Sequence, residues 1–314
     1  MEKFAVIGGG SWGTALACHI ASVSKEVILY LRDNKGVMEI NKHRTNSKYL
    51  DDIKINNNVV ATDKITDITE ADVIVIAVPS HSFTETLDKI KAIISSDKIL
   101  LIATKGLAKN PVELFSARVK RLLPDNQFAF ISGPHFAKEV AMGKYTTAII
   151  SSENLQLAKA LSNKLNTDNF EISNSSDYIT TQVANIAKNI IAIKTGIMMA
   201  KGEGENAKAS YIAKGLQEAW LIAQKLGGKP ETILNPAITG DLILTSYSIS
   251  SRNTKFGYEF YKNNYATEFL QNYPILVEGV EAAKLIKEII ELDKSKFPVI
   301  TSVTDLIPAS ILHI

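Results

Sequence analysis

Three polar residues interrupt an otherwise apolar helical pattern, Asn185, Lys188 and Asn189 in VANIAKNIIAIKTG. At i, i+3 and i+4 they share one helix face. Turned to solvent, that face is an ordinary surface; turned to a crevice, it holds a partly desolvated lysine whose lowered pKa suits it to protonate a carbonyl being reduced. The apolar remainder of the helix favours the crevice. Further along, Gly240-Asp241 precedes an apolar segment in ITGDLILT, and a serine-rich turn ends in Ser251-Arg252-Asn253 before a helix beginning near Phe256. Arginine, amide and hydroxyl donors at a helix N-terminus suit an anion, although serine capping with an incidental arginine would read the same way.

The N-terminal stretch FAVIGGGSWGTALACHIA carries Gly8-x-Gly10-x-x-Gly13 between a strand and a helix. In that context the first glycine makes the turn, the second lets backbone approach a pyrophosphate and the third packs helix on strand. Trp12 is unexpected inside such a turn; it lies along a cofactor, shields it, or serves as a structural anchor. At the end of the second strand, Arg32 and Asp33 in VILYLRDN offer two readings. An arginine pairs with a 2′-phosphate and favours NADP, while the neighbouring carboxylate keeps NAD open. Loops after later strands contribute Pro79-Ser80, Lys105-Gly106 and the run Ser132-Gly133-Pro134-His135-Phe136-Ala137. With no acidic neighbour in sequence, His135 reads as a contact residue before a catalytic one.

The elements that must position these residues fall into two halves. FAVIG, VILYL, VIVIAV, ILLIAT, FAFIS and TAIIS alternate with amphipathic helical patterns, and several are apolar on both faces, which predicts an α/β doubly wound parallel sheet. From Tyr178 onward the spacing is helical, so an all-α domain is expected over 178–314 after a nucleotide-binding domain over 1–177, with the break at the polar cluster SNSSDY. Composition agrees with two ordinary cores: 314 residues, 46% hydrophobic and 22% charged. The 35 basic and 33 acidic residues nearly cancel and are scattered, which leaves no footprint for nucleic acid. The single cysteine, Cys18, fits a reducing compartment, and neither a membrane span nor a targeting segment is expected, so the reading is cytoplasmic.

Together GGGSWGTA, NKHRTNSKYL, AVPSHSF, TKGL, SGPHFAKEVAMG, the AKN helix, GDLILT, SRNTKFG and VEGV resemble, in order and over the whole chain, the bacterial type of NAD(P)-dependent glycerol-3-phosphate dehydrogenases. The resemblance implies reduction of dihydroxyacetone phosphate to sn-glycerol 3-phosphate for phospholipid synthesis, by a Rossmann domain followed by a helical domain of the 6-phosphogluconate dehydrogenase C-terminal type. It implies Lys188 as the general acid/base, with Lys105 and Asp241 at the reacting end and Gly133, His135, Arg252 and Asn253 as further substrate contacts. For NADP or NAD it implies Gly8, Gly10, Ser11, Trp12, Gly13, Arg32, Tyr49, Lys105, Ala137, Ser251, Arg252, Leu276 and Glu278. No metal is expected; a homodimer is. Three positions depart from the family pattern: His135 where a small polar residue is common, Ile238 ahead of Gly240-Asp241 where glycine is usual, and Lys214 where arginine is usual. The first would alter a contact, the second stiffen a loop beneath Asp241, and the third weaken or reshape a phosphate rim. Rival readings are another β-hydroxyacid-type or ketopantoate-type reductase, and a redox sensor that holds NAD(P) without turnover.

Overall fold

Among the described residues, short runs mostly rich in β-branched and aromatic residues form ten strands: Phe4–Ile7 (β1), Val27–Tyr30 (β2), Val59–Thr62 (β3), Val73–Ile76 (β4), Ile99–Ile102 (β5), Leu107–Ala108 (β6), Glu113–Leu114 (β7), Phe128–Ser132 (β8), Thr146–Ser151 (β9) and Phe170–Ser175 (β10). The computed structural model describes residues 2–51 and 53–308. It divides into two units, Met1–Thr104 with Ser116–Tyr178, and Lys105–Phe115 with Ile179–Ile314.

The first unit is built on an eight-stranded sheet in the order β10-β9-β8-β5-β4-β1-β2-β3. β1 and β4 lie side by side in the middle, every residue buried, because helices cover both faces of a parallel sheet. From β1 the chain steps outward to β2 and β3, then returns across β1 to β4. That reversal of strand order is the switch point at whose carboxyl edge a doubly wound sheet leaves a crevice. Pairing is parallel except between β8 and β9, so the β9–β10 pair runs against the rest. The doubly wound sheet expected from the sequence is there; the reversal at β9 was not foreseen, because side-chain periodicity reports which faces are buried and is silent on strand direction. β3 and β10 were also not foreseen. Both alternate buried with exposed or half-buried residues, and β10 includes Ser173, Asn174 and Ser175, part of the polar cluster read as the domain break.

Among the described residues, the regular structure of the second unit is helical apart from the antiparallel pair β6–β7. Its segment 105–115 groups with the helices rather than with the sheet, which a boundary at residue 177 did not anticipate. Helix Tyr178–Lys201 is the core element, buried on nearly every face. By length and composition it is apolar enough to cross a membrane, with 89% of the qualifying window buried inside the structure, as in a core helix. Helix Arg252–Lys262 packs against it through two glycines. A Cβ at Gly196 would stand 1.9 Å from the Thr254 carbonyl oxygen, and one at Gly257 1.9 Å from that of Ile193. Helix Pro236–Tyr247 occupies what was read as a loop and an apolar segment, so Ile238 lies buried in a helix and stiffens no loop.

Candidate active site

In the first unit, the turn after β1 has the form that a dinucleotide requires. Gly8 has φ +121°, a backbone conformation that L side chains rarely adopt, and a Cβ there would stand 2.4 Å from the Ala77 carbonyl oxygen just beyond β4. Gly13 lies so close to the turn that its Cβ would meet the Gly8 oxygen at 1.9 Å. By contrast, a Cβ on Gly10 would point into open space, with nothing within 4 Å. Helix Ser11–Val23 begins there with no side-chain cap, leaving its first N–H groups and the positive end of its dipole for an anion. The Trp12 indole N–H is buried and has no acceptor among the described residues. These features fit a bound pyrophosphate cofactor.

Asn46 braces this turn, and the sequence reading had not singled it out. Its amide donates to the Gly9 carbonyl at 3.0 Å and to Thr14 Oγ1 at 2.9 Å. Ser11 Oγ donates to the carbonyl of Tyr49 at 3.1 Å, which brings the NKHRTNSKYL segment to the same place. Asp33 caps helix Asn34–His43 by accepting from the Lys35 N–H at 3.1 Å, while Arg32 is exposed. The cap engages Oδ1 of that carboxylate. Ala137 opens the short helix Ala137–Ala141 and packs on the core. His135 does not project as a lone contact: its ring stacks on Trp12 and its Nε2 donates to the Thr147 carbonyl at 3.1 Å. Gly133 lies under that ring; a Cβ would come 2.6 Å from His135 Nε2.

The second unit holds the titratable cluster. Asn185, Lys188 and Asn189 are 5%, 6% and 2% exposed, so their common face is turned inward and the solvated alternative falls. Lys188 Nζ donates to Asp241 Oδ1 at 2.8 Å and to Thr245 Oγ1 at 3.1 Å; Lys105 Nζ donates to Asp241 Oδ2, also at 2.8 Å. Thr245 lies one helical turn beyond Asp241, a relation visible only once 236–247 is known to be helical. Burial pushes the Lys188 ammonium down to about 8; attraction to Asp241 opposes the fall and repulsion from Lys105 adds to it. Burial alone would raise Asp241, but the two ammonium groups outweigh it and bring the carboxyl to about 2. At neutral pH the site is therefore a carboxylate shared by two ammonium groups, the buried one with its pKa held below the usual lysine value.

A second network adjoins on the same helix. Asn189 donates to Glu278 Oε2 at 3.3 Å and accepts at 2.9 Å from Asn253, whose Oδ1 takes the Gly279 N–H at 2.9 Å. Gly279 admits this approach, since its Cβ would stand 2.4 Å from the Asn189 carbonyl oxygen. Ser251 caps helix Arg252–Lys262 by accepting from the Thr254 N–H, and Arg252 is exposed at its first residue. Leu276 is half-buried just ahead of helix Glu278–Ile289. Lys188, Lys105 and Asp241 are thus joined directly, and Asn253 and Glu278 through Asn189, whereas Lys214 is exposed on helix Glu205–Lys225.

Known proteins resemble the chain over nearly its whole length. The family model described as NAD-dependent glycerol-3-phosphate dehydrogenase N-terminus matches residues 3–158, and that described as its C-terminus matches residues 177–311. The chain belongs to the NAD-dependent glycerol-3-phosphate dehydrogenase family. Among its relatives, the glycerol-3-phosphate dehydrogenase [NAD(P)+] of Rickettsia bellii (strain OSU 85-389) is 47% identical over 309 residues, 98% of each chain. The protein of the same name from Rickettsia typhi is 42% identical over 318 residues, 99% of each. The crystal structure of glycerol-3-phosphate dehydrogenase from Coxiella burnetii superposes with a TM-score of 0.88 at 31% identity, covering 98% of this chain and 94% of that one.

Proposed function

We propose that this dehydrogenase reduces dihydroxyacetone phosphate to sn-glycerol 3-phosphate with NADPH or NADH, and that Lys188 is its proton donor. The observation that carries the residue assignment is the buried lysine held at 2.8 Å from Asp241 on a chain of this family. When bound, the nicotinamide supplies the hydride that reduces the C2 carbonyl. Lys188 then has two tasks: its charge stabilises the alkoxide as it develops, and its Nζ yields the proton that completes the alcohol. A pKa near 8 supports this, being close enough to neutrality for the ammonium both to be populated and to give up its proton. Asp241 orients the ammonium without serving as the base, since its own pKa of about 2 makes it a poor proton acceptor. Lys105 shares that carboxylate and adds positive charge to the oxyanion's surroundings.

Arg252 and Asn253, in the first turn of helix Arg252–Lys262, are our choice for the substrate phosphate, with the helix dipole adding to the attraction. Binding energy from that remote group orients the carbonyl. Gly8, Gly10, Ser11, Trp12, Gly13 and Arg32 form the cofactor side, and the engagement of Asp33 in capping favours NADP. Tyr49, Ala137, Ser251, Leu276 and Glu278 complete our cofactor assignment, and Gly133 with His135 supports it indirectly. We place the enzyme in the cytoplasm as a homodimer. The substrate assignment is tested by following NADPH oxidation with dihydroxyacetone phosphate and with unphosphorylated dihydroxyacetone at equal concentration. Turnover with the phosphorylated ketone alone is expected; equal rates would overturn the phosphate anchor.

A further inference from the structure

Four rings of the first unit form a continuous stack. His135 lies 4.6 Å from Trp12 with planes 18° apart, and 5.3 Å from Phe170 at 23°. Phe170 in turn stacks on His19 at 4.1 Å and 26°. Both imidazoles are pinned to backbone: His135 Nε2 donates to the Thr147 carbonyl at 3.1 Å and His19 Nε2 to that of Leu165 at 2.8 Å. Phe170, at the start of β10, is 2% exposed, so the middle of the stack is part of the core. Its other end is Trp12, in the first turn of the helix that opens from the glycine loop.

This arrangement explains two residues that a direct ligand contact leaves unexplained. His135 is large where a contact to a small substrate needs little, and Gly133 is bare although its φ is ordinary. A Cβ on Gly133 would collide with the His135 ring at 2.6 Å and with the Thr147 oxygen at 2.3 Å. The missing side chain is what lets the imidazole fold back onto Thr147 and present its face to the indole.

We propose that His135 and Phe170 are positioning residues for the dinucleotide, acting through Trp12: they hold the indole beside the glycine turn before the cofactor arrives. The proposal rests on the reading of Gly8–Gly13 as the cofactor turn and of Trp12 as a cofactor contact. A large side chain immobilised only on binding weakens affinity by roughly two- to tenfold, and the stack removes that loss in advance. Ring stacking, rather than the hydrogen bond to Thr147, is what the position requires.

The test uses the full chain with Trp220→Phe, which removes the other of the two tryptophans, an exposed residue on helix Glu205–Lys225, and leaves Trp12 as the fluorophore. In this background His135→Leu keeps apolar volume without a ring, His135→Phe keeps the ring without the hydrogen bond, and Trp12→Leu is compared in the natural chain. NADPH affinity is measured by calorimetry, Trp12 anisotropy without nucleotide, and kcat and KM with dihydroxyacetone phosphate. His135→Leu is expected to weaken NADPH binding roughly two- to tenfold and to lower Trp12 anisotropy; His135→Phe is expected to restore both affinity and anisotropy. Normal affinity in His135→Leu while Trp12→Leu binds weakly would overturn the positioning role and leave the cofactor reading standing. Normal affinity in Trp12→Leu would instead overturn the reading of Trp12 on which the proposal rests. Weakening by His135→Leu that His135→Phe fails to rescue would also overturn it, since a ring would then not be the requirement.

Discussion

At the scale of single residues, Lys188 is governed by three opposed influences of known sign. Burial lowers its pKa, Asp241 raises it, and Lys105 lowers it. With Lys188 as the proposed proton donor, the protonated form would be the active one in the reduction direction, so kcat/KM is expected to decline as pH rises through about 8. Asp241→Asn removes the attraction and leaves burial and Lys105 acting together, which moves that limb to lower pH. Lys105→Met removes the repulsion and moves it upward. pH profiles of both variants check the pair, and shifts in the same direction would contradict it. Asp241 also links the site to acid stability. Its folded pKa lies below the ordinary 3.8, so the unfolded chain binds the proton more tightly, and its stabilising contribution is complete above that pH and lost as pH falls toward 2. Arg32 is argued at the same scale. Exposed beside a carboxylate occupied in capping, it is expected to set the NADPH preference, and Arg32→Ala should lower the ratio of kcat/KM for NADPH over NADH. An unchanged ratio would show that it does not read the 2′-phosphate.

At the scale of elements, the three fingerprint glycines separate by what a methyl group would meet. Gly13→Ala places a Cβ 1.9 Å from backbone, so the turn must distort, and both stability and nucleotide binding are expected to fall. Gly10→Ala meets nothing and has φ −76°, so thermal stability is expected to change by less than about 1 kcal/mol while nucleotide affinity drops by tenfold or more. Melting curves with and without NADPH distinguish the two variants. Equal loss of stability in both would contradict the assignment of Gly10 to ligand approach. These glycines were legible in the sequence because strand, turn and helix follow one another within a few residues. β10 was not: an edge strand with one face exposed carries no apolar run, and its serines resemble a linker. Helix Pro236–Tyr247 escaped for the opposite reason, since it is apolar on most faces and has no polar stripe to mark its period.

For the whole molecule, the sheet-then-helix order and the lysine face were legible because both rest on local periodicity. What joins distant segments was not. Segment 105–115 leaves the sheet unit after β5 and brings Lys105 to Asp241, 136 residues away in sequence, and no local pattern records such a pairing. Asn46 is likewise an ordinary polar residue until the fold sets it under Gly9 and Thr14. The same division of labour gives the most direct test. In the proposed assignment, nucleotide binding belongs to the glycine turn of the first unit and proton transfer to Lys188 in the second. For purified Lys188→Ala, NADPH affinity and the rate of NADPH oxidation with saturating dihydroxyacetone phosphate should be measured side by side. A loss of turnover of about a hundred- to ten-thousandfold with affinity within about twofold of the natural chain is expected; turnover within tenfold of the natural chain would contradict Lys188 as the proton donor.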